Sequence, residues 1–189
     1  MLSKREELIS TAKELFSEHG FHATGIDRIL AKSGIAKKTL YNHFRTKEEL
    51  ILAVLKQHDS EFRNFFRQEV EACSPDPRER LLAIFDVAET WFSLSSFFGC
   101  LFINAIGEYS EQETAIRDVC REFKQLLRSY IESIAIAAGA SDPKALATEL
   151  ALLLEGAIVT AQVSAHPHAA QTAKQIAATL IDAATETTA

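Results

Sequence analysis

The sequence predicts an all-α protein of about nine helices, and three observations predict it. Only 7 Gly and 4 Pro punctuate 189 residues, too few for the many turns of an all-β chain. Apolar residues return every three or four positions through most of the chain, and no segment alternates in the two-residue rhythm of a strand. Composition is that of a soluble globule, 47% hydrophobic and 24% charged, which argues against extended disorder.

Residues 5–18 carry Leu8, Ile9, Ala12, Leu15 and Phe16 on one helical face, and Gly20 is the expected stop. Thr24 offers an N-cap hydroxyl to the next helix, with Asp27 near its positive end. That helix is short: Ile26, Ile29 and Leu30 face inward, and Ser33-Gly34 ends it. After a brief joint, residues 37–44 are helical again, with Leu40 and Phe44 on the buried side. Thr46 caps a long helix that opens on Glu48 and Glu49 and keeps apolar spacing through Leu50, Val54, His58, Phe62, Phe66 and Val70. Ser74-Pro75-Asp76-Pro77 breaks it, which makes it a lever between an N-terminal module and whatever follows.

Beyond the break, residues 78–94 are amphipathic through Leu81, Phe85, Ala88, Trp91 and Phe92, and the apolar run 97–104 is a buried helix or turn. Residues 113–138 repeat from Ile116 to Ile134 and end at Gly139; Pro143 then sits in the first turn of another helix. Residues 143–165 and 168–184 are Ala-rich helices with broad apolar stripes, and a polar tail follows. No apolar run approaches the roughly 20 residues that cross a bilayer, and the chain start lacks the apolar core of a secretory signal. Cys73, Cys100 and Cys120 are odd in number and widely spaced, which suits reduced thiols. A cytoplasmic protein with no membrane partner is expected.

Charge is unevenly placed. The net charge is −6, yet residues 1–50 hold nine basic and seven acidic side chains, net +2. From Thr24 to Lys47, Arg28, Lys32, Lys37, Lys38, Arg45 and Lys47 face only Asp27, net +5. This asymmetry fits a small anion-facing module on an acidic body, or simply a solvated basic face. Two short helices joined by a tight Gly-containing turn, basic over the second, add the shape of a helix-turn-helix. With Leu40 and Phe44 inside, Lys37, Lys38, Thr39, Tyr41, Asn42 and His43 lie on the outer surface, where a short helix meets phosphates and base edges in a major groove. Lys47 stands at the next helix start, where an ammonium and backbone amides can share one phosphate.

The stretch Thr24-Gly-Ile-Asp-Arg-Ile-Leu-Ala-Lys-Ser-Gly-Ile-Ala-Lys-Lys-Thr-Leu-Tyr-Asn-His-Phe-Arg-Thr-Lys47 resembles the DNA-binding domain of the TetR/AcrR family of bacterial transcriptional regulators, over about residues 5–55. The resemblance implies that residues 37–43 are the recognition helix, and that Thr24, Thr39, Tyr41, His43 and Lys47 contact DNA, mostly its backbone. It also implies that the last two helices form a dimer interface and that the central helices hold an effector cavity. The phrase from Gly99 to Tyr109 resembles one found in a subset of these regulators. Two positions depart from the family: Ala36 where Ser or Thr usually caps the recognition helix, and Lys38 where Gly is frequent. Both bear on the operator sequence.

On this reading residues 1–55 are the DNA-binding domain, with the helix-turn-helix at about 25–44, and residues 56–189 bind effector and dimerise. Effector candidates are aromatic or embedded polar residues: Phe62, Phe66, Trp91, Phe102, Asn104, Glu108, Phe123 and Tyr130. Each has a plain alternative as core filler, cap or helix bridge. His19/His22 and His166/His168 lack partners at metal-ligand spacing, and Cys100 reads as a buried inert thiol, so neither metal nor cofactor is expected. No Gly-x-Ser-x-Gly, His-Glu-x-x-His or P-loop points to an enzyme. The apolar stripes of 143–184 would pair with a two-fold mate as a four-helix interface, placing two recognition helices about 34 Å apart on a palindromic operator. The expected function is therefore a homodimeric repressor released from double-stranded DNA by a small molecule. The competing reading, a helical small-molecule binder or adaptor without DNA binding, has the acidic net charge as its support.

Overall fold

The apolar periodicities become nine α-helices, and no strand, among the residues described by the computed structural model, 2–109, 114–164 and 168–186. They are α1 (Lys4–His19), α2 (Ile26–Ser33), α3 (Lys37–His43), α4 (Lys47–Cys73), α5 (Pro77–Phe92), α6 (Leu101–Glu108), α7 (Ala115–Ala137), α8 (Pro143–Ser164) and α9 (Ala169–Thr185). The expected helix start at Glu113, the expected end at Ala165, His166 and the end of the polar tail lie outside the described residues. The largest shift from expectation is at 97–104. Residues 93–100 wind through turns, and α6 begins only at Leu101. Gly99 sits at φ +83°, outside a right-handed helix, and the Gln162 side chain occupies the place of a Cβ there.

Two compact units divide the chain: Met1–Glu61 with Cys100–Phe123, and Phe62–Gly99 with Lys124–Ala189. Residues 100–123 thus group with the N-terminal helices.

In the first unit, Ser3 and Glu6 cap α1 reciprocally: the Ser3 hydroxyl accepts from the Glu6 amide, and the Glu6 carboxylate accepts from the Ser3 amide at 2.7 Å. Gly20 (φ +84°) closes the helix, donating to the Phe16 carbonyl at 2.9 Å. The expected Thr24 cap is not formed. Gly25 is the N-cap of α2, with no side-chain hydrogen bond, and the buried Thr24 hydroxyl instead donates to the Leu15 carbonyl at 3.2 Å. The joint is thereby tied to α1 rather than to α2. Phe16 and Phe21 stack at 4.9 Å beneath it, both fully buried. Gly34 at φ +67° turns the chain into α3, which Leu40 and Phe44 anchor from inside. Each such burial is worth about 2 kcal/mol. Thr46 caps α4 as expected: its hydroxyl accepts from the Glu49 amide at 3.2 Å, while the Glu49 carboxylate accepts from the Arg45 amide at 2.7 Å.

In the second unit α5, α8 and α9 pack on one another. Asp76 caps α5 by accepting from the Arg78 amide, with Pro77 in the first turn. The inner faces meet through Leu81, Ile84, Phe85 and Ala88 of α5, Leu146, Leu150, Leu154 and Ile158 of α8, and Ala170, Ala177 and Ile181 of α9. Ion pairs lace the α5–α9 seam: Lys174 Nζ donates to both Asp86 oxygens at 2.6 and 2.7 Å, and Arg78 pairs with Asp182. Contrary to the sequence expectation, α8 is long and apolar enough to cross a membrane by length and composition alone. Its buried stripe and its packing against α5 and α9 are those of a bundle helix.

Candidate nucleic-acid interface

Helix α3 is positioned by what it buries. Leu40 is fully buried and Phe44 nearly so, which turns Lys37, Lys38, Tyr41, Asn42 and His43 outward; Tyr41 is 45% exposed and Thr39 half-buried. Its N-cap is Ala36, without a side-chain hydrogen bond, so the Lys37 and Lys38 amides keep no intrahelical acceptor. Lys37 Nζ lies 3.2 Å from Asp27 Oδ1, an exposed pair that water screens and DNA can break at little cost. Lys38 is fully outward beside it. Of the eight expected DNA contacts, six therefore share one helix surface.

The other two differ. The Thr24 side chain is inside the unit, its hydroxyl committed to Leu15. Lys47 is half-buried at the start of α4, its Nζ donating to the His22 carbonyl at 3.5 Å. Thr46 satisfies the Glu49 amide, and the first amides of α4 remain for an anion. Arg28 and Lys32, on α2, are held by His19 (2.7 Å) and Glu14 (2.9 Å).

The eight effector candidates divide between the units. In the second, Phe62 stacks on Phe66 (5.6 Å) and meets Trp91 edge-on (5.1 Å), with Phe92 and Phe97 continuing the aromatic cluster. The Tyr130 hydroxyl there is buried with no hydrogen-bond partner among the described residues, while Arg67 lies over its ring at 5.7 Å. Burial, then the nearby Glu71 carboxylate, pushes its phenol up to about 12. In the first unit Phe102 and Phe123 stack at 3.8 Å, and Asn104 is half-buried on the same helix as Phe102. Glu108 accepts from the backbone amides of Phe21 and His22.

Two features escaped the sequence. His58 stacks on Phe102 at 5.5 Å, and burial, reinforced by Lys13, lowers its imidazole to about 4. Its place between Leu55 and Phe62 on the apolar stripe of α4 was the available signal. A cleft of about 550 Å³ lies among His22, Glu48, Leu52, Glu108, Tyr109, Thr114, Ala115 and Ile116. Burial and the two carboxylates raise the Tyr109 phenol there. Nothing local in sequence joins residue 22 to residue 108. His168 pairs with Glu89, and among the described residues no group of three or more His, Cys, Asp or Glu is placed to hold a metal ion.

Residues 8–54 match the family described as bacterial regulatory proteins, tetR family, and residues 77–177 match the tetracyclin repressor-like C-terminal domain. The chain is similar to the HTH-type transcriptional regulator LmrA of Bacillus subtilis, 29% identical over 163 residues that cover 82% of this chain and 84% of LmrA. It is similar to the HTH-type transcriptional activator FasR of Mycolicibacterium smegmatis, 40% identical over 80 residues, 42% of this chain; the match spans only 36% of FasR. Among solved structures it resembles SCO4454, a TetR-family transcriptional regulator from Streptomyces coelicolor, with a TM-score of 0.88, 27% identity and 96% of each chain covered. All three are described as transcriptional regulators rather than enzymes.

Proposed function

The chain belongs to the TetR family of transcriptional regulators, with a DNA-binding helix-turn-helix, and on that premise we propose that it is a cytoplasmic, homodimeric repressor released from a palindromic operator by a small-molecule effector. The observation that carries this reading is the outward face of α3. Two inward anchors leave two lysines, a tyrosine, an asparagine and a histidine on one exposed helix surface. Lys37 and Lys38 bring charge to the phosphates, Asn42 and His43 offer hydrogen bonds to base edges, and Tyr41 donates its hydroxyl to the backbone. Lys47 and the free amides of α4 hold a further phosphate. The Thr24 side chain makes no direct contact in this scheme.

Pairing of two copies is supported by the outer face of α8 and α9. Leu152 is 72% exposed and Ile176 49%, both lining an apolar groove of about 270 Å³ that includes Gly156 and Ala173, and Val163 on α8 is 79% exposed. A Cβ on Gly156 would meet nothing within 4 Å, so a partner helix can approach closely there. Exposed apolar surface of this kind is what a two-fold mate covers. For the effector, the second unit offers an aromatic cluster around Trp91 and, separately, the Tyr130 hydroxyl, buried with no hydrogen-bond partner among the described residues.

The test begins with fragments selected from genomic DNA by the purified protein. On a selected fragment, Tyr41→Phe with Lys47→Ala is expected to weaken binding about 10- to 100-fold and to lower the salt slope by roughly one. Unchanged affinity and slope in a gel-shift titration would refute the proposed contacts.

A further inference from the structure

One carboxylate holds the joint between α1 and α2. Glu108, the last residue of α6, accepts from the Phe21 amide at 2.7 Å and the His22 amide at 2.6 Å. Its Oε2 also lies 3.2 Å from His22 Nδ1. Two successive backbone donors on one charged acceptor are a strong, directional anchor. The joint is shaped to receive it: Gly20 stands at φ +84°, and a Cβ there would come within 2.9 Å of Glu108 Oε1. Any other residue would be strained and would strike the carboxylate. Tyr109 completes the cover, its ring 4.8 Å from that of His22 and edge-on to Phe21 at 6.2 Å.

The carbonyl of the same residue, in the next peptide group along, faces the DNA-contacting machinery. While the His22 amide donates to Glu108, the His22 carbonyl accepts from Lys47 Nζ. We propose that Glu108 is a positioning residue for DNA binding: by fixing the Phe21 and His22 amides it sets the direction of the His22 carbonyl that follows, and so aims the Lys47 ammonium at its phosphate. This rests on the reading of Lys47 as a phosphate contact. It gives a residue 61 positions beyond Lys47 control of the interface, through a helix outside the helix-turn-helix.

The sign of the effect separates this role from simple electrostatics. A carboxylate that merely repelled DNA would, when removed, tighten binding. A positioning carboxylate, when removed, loosens it. The full chain is titrated with a selected genomic fragment at several salt concentrations, as wild type, Glu108→Ala, Lys47→Ala and the double variant. Glu108→Ala is expected to weaken binding about 10-fold and to lower the salt slope by roughly one, as Lys47→Ala does. The double variant should be no weaker than Lys47→Ala alone, since both act through one contact. Tighter binding by Glu108→Ala, or losses that multiply in the double variant, would overturn the proposal. If Lys47→Ala by itself changes nothing, the phosphate contact fails, and this proposal with it. A merely structural role is also covered: lost folding would lower affinity equally with or without Lys47. Should Glu108→Ala fail to fold, Glu108→Gln keeps one acceptor oxygen and is expected to lose about 3-fold, again only when Lys47 is present.

Discussion

Two surfaces of this protein meet water in opposite ways. On α3, polar and cationic groups crowd one short helix: Lys37, Lys38, Asn42 and His43 all face solvent within seven residues. On α8 and α9, Leu152, Val163 and Ile176 are exposed among polar neighbours, large apolar side chains that a monomer would ordinarily hide. The first surface is at ease in water and gains only when it meets phosphate and base edges. The second is costly in water and gains by meeting anything apolar of matching shape. The contrast teaches that exposure alone does not name a partner; the chemistry of what is exposed does.

The sharpest way to break the contrast is to charge the apolar surface. Leu152→Glu with Ile176→Glu should leave a folded monomer by sedimentation and lower operator affinity at least about 100-fold, because each half-site is then bound alone. A dimer that survives both carboxylates would place the interface elsewhere.

Acid should distinguish the two units themselves. His58 is half-buried and held neutral in the unit that carries α3, beside Phe102 and near Lys13, Glu61 and Asp59. Unfolded, its imidazole takes a proton below about 6.5; folded, only near 4. Between those values the unfolded state binds the extra proton, so folding stability drops as pH falls from about 6.5 to about 4, then levels off. The loss is roughly 3 kcal/mol. Hydrogen exchange should show α4 and α6 loosening before the α5–α9 seam, and His58→Leu should remove this part of the slope. An identical pH profile in that variant would clear His58 of the effect.

The smallest test concerns the cap of α3. Ala36 lies in extended conformation (φ −65°, ψ 141°), ready for a capping hydroxyl that it does not have. Ala36→Ser should stabilise the protein by about 1 kcal/mol in thermal or denaturant unfolding while leaving it dimeric. No gain would mean that the end of α3 is set by Leu40 and Phe44 alone.

Much of this was readable along the chain. The turn glycines, the Thr46 cap, the Pro143 helix start and the inward pair Leu40/Phe44 are all local signals, and local signals place short helices well. The α6 boundary was misplaced because the run Phe97-Phe98-Gly99-Cys100-Leu101 looks helical until Gly99 takes a positive φ against Gln162. Thr24 resembles a cap from its neighbours, yet its hydroxyl goes to Leu15, nine residues back. Glu108 read as an embedded polar group, either an effector contact or a structural bridge, and it accepts from two amides 86 and 87 residues away.

Periodicity and residue chemistry along the chain thus determined the helices, their inward faces and the cationic character of α3, because those depend on neighbours within a turn or two. Tertiary structure alone decided which unit residues 100–123 join and which carboxylate anchors the joint. Those outcomes depend on groups far apart in the chain arriving within 3 Å of one another, and no spacing rule in one dimension encodes that distance.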